Sequence, residues 1–142
     1  MIDHNIVLLK AGSVKRHINR IIEKRNVDLQ TFLNDIDRQE IILFNLQMAI
    51  QNCIDIAAHI VSEEGLGVPG SISEMFYLLQ EKGYIDGELS EKMIKAVGFR
   101  NLLVHSYGKV EIRQVYEIIH KHIQDLSKFL ITILDRLGIS DK

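Results

Sequence analysis

The chain has 142 residues, of which 46% are hydrophobic and 25% charged. That balance excludes general disorder, and the length supports a real hydrophobic core in one domain spanning residues 1–142 without metal or disulfide staples. A net charge of −2 from 17 Lys+Arg against 19 Asp+Glu excludes a globally basic nucleic-acid coat but leaves room for a local basic site. One cysteine, Cys53, permits no intramolecular disulfide and no zinc framework. The opening Met1-Ile2-Asp3-His4 carries acid early, without the apolar core of a signal peptide, and no stretch approaches eighteen uncharged apolar residues. The expectation is a cytoplasmic protein with no membrane span.

The single proline, Pro69, and long 3.6-period apolar patterns favour helices over a turn-rich β fold. Val14, Ile18, Ile21 and Ile22 share one face, which predicts a helix over about residues 4–25 with Asp3 as N-cap. A short helical turn is expected around Leu29, Phe32 and Leu33. Leu43, Leu46, Ile50, Cys53, Ala57 and Ile60 then step by three or four residues and predict a long helix from Asp37 to Ser62, ending before Gly65-Leu66-Gly67. Ser71-Ile72-Ser73-Glu74 has the form of a capping box and opens a helix through Leu79, which Gly83 ends. Ser90 or Asp86 can cap a further helix carrying Leu89, Met93 and Val97 and approaching the segment 98–107, closed by Gly108. From Glu111 to Leu137, Val115, Ile118, Ile119, Leu126, Phe129, Leu130 and Ile133 form one last stripe before Gly138. No convincing strand appears. Short connections between these stripes predict an all-α bundle of about five helices.

Several motifs carry less than they promise. Gly65-Leu66-Gly67-Val68-Pro69-Gly70 matches G-x-G-x-x-G, but a dinucleotide site needs a preceding strand, and here a helix precedes it. Glu117-Ile118-Ile119-His120 matches one half of a di-iron ligand set, and the chain has no second Glu-x-x-His. His120 and His122 fall on different flanks of a helix exposed to solvent. Cys53 lies on an apolar stripe and reads as a small buried hydrophobe. Asp55 and His59, four apart, are expected to touch as a local polar pair.

The segment Gly98-Phe99-Arg100-Asn101-Leu102-Leu103-Val104-His105-Ser106-Tyr107-Gly108 is different in kind. Asn101 and His105 share a helix face, and Arg100 lies on the adjoining flank. A guanidinium holds phosphate bidentately, an imidazole moves protons near neutral pH, and a phenol donates or accepts. This set suits phosphoryl transfer better than metal binding. On residue chemistry alone, an ordinary helix end, with His and Tyr capping carbonyls and Arg paired to an acid, remains an equal reading.

At these residues the sequence resembles a HEPN domain, in particular the HepT-like toxins partnered with a minimal nucleotidyltransferase (MNT). Arg100, His105 and Tyr107 supply an R-x4-H-x-Y signature, and Asn101 fits its R-N-x3-H form. A second block, Asp37-Arg38-Gln39-Glu40 through Gln51-Asn52-Cys53-Ile54-Asp55-Ile56-Ala57-Ala58-His59-Ile60, resembles the long second helix of the same toxins. The resemblance implies a helical homodimer with two signatures facing one another across a cleft, and metal-independent cleavage of RNA by its own 2′-hydroxyl, with no cofactor. It implies His105 as general acid or base, Arg100 as the phosphate holder, Asn101 as the orienting group, and Tyr107 as the residue that an MNT antitoxin AMPylates. Two rival readings stand beside it. One is a non-catalytic substrate- or nucleotide-binding subunit of a nucleotidyltransferase, which need not keep Arg100 and His105 together; the other is a plain helical interaction dimer.

Overall fold

A computed structural model describes residues 1–139. They form seven α-helices and one 3-10 turn, with no strand among them: α1 His4–Lys24, α2 Leu29–Leu33, α3 Ile36–Glu63, α4 Ile72–Glu81, α5 Gly87–His105, the turn Tyr107–Lys109, α6 Ile112–Lys121 and α7 Ile123–Leu137. The fold class is as the periodicity predicts. The helix count is not five but seven, because α2 is a helix in its own right and the last stripe is two helices.

α3 is the central element. Its residues Ile42, Leu46, Ile50, Cys53, Ala57 and Ile60 are buried, and α1, α4, α5 and α7 pack around it. By length and mean hydropathy α3 could cross a membrane, contrary to the expectation from uninterrupted apolar runs; 61% of its most apolar window lies inside the fold, as in the core helix of a bundle. α1 runs antiparallel to it. Lys10 pairs with Asp55 at 3.0 Å, and His17 Nδ1 lies 2.8 Å from Asn45 Oδ1. Asp3 caps α1 through its side chain, while its own N–H donates to His59 Nε2 at 3.0 Å. Asp55 and His59 therefore do not form the expected pair. Each reaches across to α1, and Asp55 takes its second hydrogen bond from Gln51.

The caps follow the sequence with two shifts. Ser71 Oγ accepts from Glu74 N–H, but the Glu74 carboxylate reaches back to Gly70 N–H rather than to Ser71. Asp86, not Ser90, caps α5: its Oδ1 accepts from Leu89 N–H at 2.8 Å. Ser90 is buried between α4 and α5, donating to the Phe76 carbonyl at 3.4 Å. Ile22, assigned to the core face of α1, is 42% exposed. The Gly65–Gly70 segment is a helix-to-helix loop in which Gly65 and Gly67 adopt positive φ.

The break between α6 and α7 falls at His122 (φ −121°, ψ −7°). α6 packs on α2, with Tyr116 against Phe32 and its hydroxyl donating to the Val27 carbonyl at 2.8 Å. α7 instead packs on α1, α3 and α5, and its Phe129 also meets Phe76 of α4. Among the last carbonyls of α6, Ile119 is held by the Arg25 guanidinium at 2.9 Å. The bend lets each half of the stripe face a different neighbour.

Candidate active site on the last turns of α5

One row of α5 leaves the core as the helix proceeds, while Phe99 and Leu103 keep its other side buried. The row that buries Leu89, Met93 and Val97 continues, three and seven residues on, as half-buried Arg100 and Val104, which is 42% exposed. That row thus turns polar in the last turns of the helix. Asn101 and His105 lie one above the other beside it. The helix ends at His105, with Ser106 N–H donating to the Leu102 carbonyl at 2.9 Å, and the chain turns through Tyr107–Lys109. Tyr107 is 52% exposed.

Within this group, Arg100 Nη1 donates to Asn101 Oδ1 at 2.9 Å. Arg100 Nε is buried and has no hydrogen-bond partner among the described residues. A buried donor left unmade costs about 1–3 kcal/mol, a cost relieved when the side chain meets an acceptor such as a phosphate oxygen. His105 is exposed, and neither its side chain nor that of Tyr107 makes a hydrogen bond, ion pair or ring contact among the described residues. The expected helix-end reading, with Arg paired to an acid and His and Tyr capping carbonyls, is not what the side chains do. Arg100 is held by an amide, while His105 and Tyr107 stand free at an accessible helix end.

The other candidates lie elsewhere. Cys53 is fully buried, and burial pushes its thiol well above the ordinary range, with the Asp55 charge adding to the effect. His120 Nδ1 faces the Tyr116 carbonyl at 2.8 Å with its ring 4.3 Å from that of Tyr116, while Glu117 pairs with Lys121 at 3.8 Å. Among the described residues no three His, Cys, Asp or Glu side chains gather as a metal-binding group. Sequence reasoning did not find a groove of about 600 Å³ on the far side of α5, walled by α3, α6 and α7. Its lining is scattered over four helices, so no local motif marks it.

An all-α bundle packed around one long helix, with an Arg-Asn-x3-His-x-Tyr run at the end of α5, defines a HEPN-type fold. The chain belongs to the ribonuclease HepT-like family, whose model matches residues 14–133. It is similar to the mRNA nuclease HepT of Shewanella oneidensis, at 34% identity over 130 residues, covering 92% of this chain and 97% of that protein. The tRNA nuclease HepT of Aphanizomenon flos-aquae is 26% identical over 135 residues, covering 90% and 92% of the two chains. Among solved structures, the tri-AMPylated Shewanella oneidensis HEPN toxin in complex with its MNT antitoxin superposes with a TM-score of 0.84 at 34% identity, covering 92% of this chain and 97% of the toxin.

Proposed function

We propose that this protein is the toxin of a toxin–antitoxin pair: a metal-independent endoribonuclease of the cytoplasm, restrained by a cognate MNT antitoxin. The observation that carries the reading is the accessible Arg100–Asn101–His105 group at the end of α5 in a chain of the ribonuclease HepT-like family. RNA supplies its own nucleophile. The ribose 2′-hydroxyl attacks the adjacent phosphorus, the bond to the 5′-oxygen breaks, and a 2′,3′-cyclic phosphate and a 5′-hydroxyl result. The proton leaving the 2′-oxygen and the proton gained by the 5′-oxygen both have to be moved, and His105 is the group suited to it near neutral pH. Arg100 holds the non-bridging oxygens as charge develops on them, and Asn101 keeps the guanidinium aimed.

The protein acts as a homodimer in this reading. The row of half-buried Arg100 and exposed Val104 faces a second copy, so two imidazoles share one cleft, one accepting and one donating. Cleavage of labelled RNA by wild type and His105→Ala, with EDTA present, tests the chemistry; full activity in the variant overturns it. Light scattering at micromolar concentration tests the assembly, and a monomer overturns the shared cleft.

A further inference from the structure

The groove behind α5 has features that the catalytic reading leaves unused. Its floor is apolar, formed by Leu46, Ala96, Leu102, Ile118 and Leu126. Its volume, about 600 Å³, is that of a small-ligand site. Gln114 and Glu117, one turn apart on α6, place an amide and a carboxylate at its rim. The rim charges cancel in pairs: Lys92 lies 3.4 Å from Glu88 and 3.9 Å from Asp125, His122 is 3.8 Å from Asp125, and Glu117 pairs with Lys121. Lys95 alone among the rim cations has no ion pair or hydrogen bond among the described residues. This lining is complementary to a flat apolar body bearing hydrogen-bonding edges and one negative charge.

Gly98 sharpens the point. It lies inside helix α5, where glycine is less stable than alanine, and it lines the groove. Among the described residues a Cβ placed there meets nothing within 4 Å, so no contact with them requires glycine. The open space belongs to the groove mouth. Gly98 and Leu102 are also helix-surface neighbours of Asn101 and His105, each preceding its neighbour by three residues. The groove therefore begins one row of side chains from the catalytic group.

We infer that this groove is a nucleobase subsite for a nucleotide flanking the scissile phosphate. The base lies on Ala96, Leu102 and Ile118, Gln114 and Glu117 read its edge, and Lys95 takes the neighbouring phosphate. Single-stranded RNA is read in this way, by unstacked bases seated on apolar surfaces and bonded at their edges. The inference rests on the ribonuclease reading for its substrate, but its site has a readout of its own.

The test has two arms. In the first, the four nucleoside 5′-monophosphates are titrated into the protein and its amide resonances followed by NMR. Shifts at Gly98, Leu102 and Gln114 that disappear in Gly98→Leu are expected; shifts confined to Arg100 and His105 overturn the subsite. In the second, a randomised RNA is cleaved and the bases beside the cut are counted. Wild type is expected to show about a tenfold preference at one flanking position, falling to about twofold in Gln114→Ala and Glu117→Gln. Unchanged preference in both variants overturns the subsite while leaving the nuclease reading intact. Uncut RNA with groove shifts in the first arm supports the nucleotide site and overturns the nuclease reading. Gly98→Leu that converts a dimer to a monomer shows that a second copy fills the groove, which also overturns the subsite.

Discussion

Arg100 and Asn101 are adjacent in sequence and bonded through their side chains, Nη1 donating to Oδ1 at 2.9 Å. Successive residues on a helix point about 100° apart, so the guanidinium folds back over its neighbour instead of extending to solvent. This makes Asn101 a positioning residue for Arg100. Asn101→Ala is expected to lower kcat/KM by roughly 10–100-fold while leaving the shape of the pH–rate profile unchanged. Asn101→Asp keeps the acceptor oxygen and is expected to recover most of the loss. Equal activity in wild type and Asn101→Ala removes the role.

Arg100→Ala and His105→Ala act on the chemistry itself. Each is expected to lower RNA cleavage by at least about 10²-fold. Neither side chain holds another element in place, since Arg100 bonds only its neighbour and His105 bonds nothing among the described residues. Thermal unfolding should therefore move little, within the range of surface substitutions. Unfolding of both variants at ambient temperature would falsify the chemical assignment in favour of a structural one.

Acid should weaken the protein partly through two helix caps. Backbone N–H donation from Thr31 to Asp28, and from Arg38 to Asp35, holds both carboxyls below their ordinary value of 3.8. A folded pKa below the unfolded one means stability that is fully present above about pH 4 and lost as pH falls through the lowered values. The double variant Asp28→Asn, Asp35→Asn keeps both caps but cannot titrate. Its urea-unfolding free energy is expected to fall less steeply than wild type below pH 4, and identical slopes would dismiss the linkage.

Cys53 gives a test of core packing. Burial raises its thiol so far that the thiolate, the reactive form, is negligible at neutral pH. Iodoacetamide at pH 7.5 should leave Cys53 unmodified in the folded protein and label it fully in urea. Rapid labelling of native protein would show that α3 is not sealed from solvent.

Most of the helices are legible because each keeps one continuous apolar stripe buried: the α3 stripe from Leu43 to Ile60 is buried as the periodicity requires. The break at His122 was not legible. Val115, Ile119, Ile123, Leu126 and Leu130 keep helical spacing through it, no Gly or Pro marks it, and the bend is set by partners distant in sequence, Arg25 and Val27. Asp55 and His59 failed as a pair for a related reason. Spacing shows which side chains can meet on one helix, but both were taken by α1. The signature residues were legible in composition and order, whereas the Arg100–Asn101 bond and the unpaired Nε of Arg100 depend on rotamers that spacing does not specify.

Control of the nuclease is expected to act through Tyr107. Its ring is half exposed, its hydroxyl is unbonded among the described residues, and it follows the end of α5 in a three-residue turn flanked by Gly108. An outside enzyme can reach such a hydroxyl without unfolding the helix, because helix ends and short turns open at low cost. When the Tyr107 oxygen attacks the α-phosphorus of ATP, the ester forms as pyrophosphate leaves, and each added AMP brings a phosphate charge two residues from His105. That phosphate competes with RNA for Arg100, whose Nε has no partner of its own. Co-expression with a cognate nucleotidyltransferase should raise the mass of the Tyr107 peptide by whole multiples of AMP and suppress RNA cleavage by at least about 10²-fold. Tyr107→Phe should gain no mass and stay active beside the antitoxin. If Tyr107→Phe is silenced as fully as wild type, the antitoxin works by covering the cleft, and the tyrosine has no part in control.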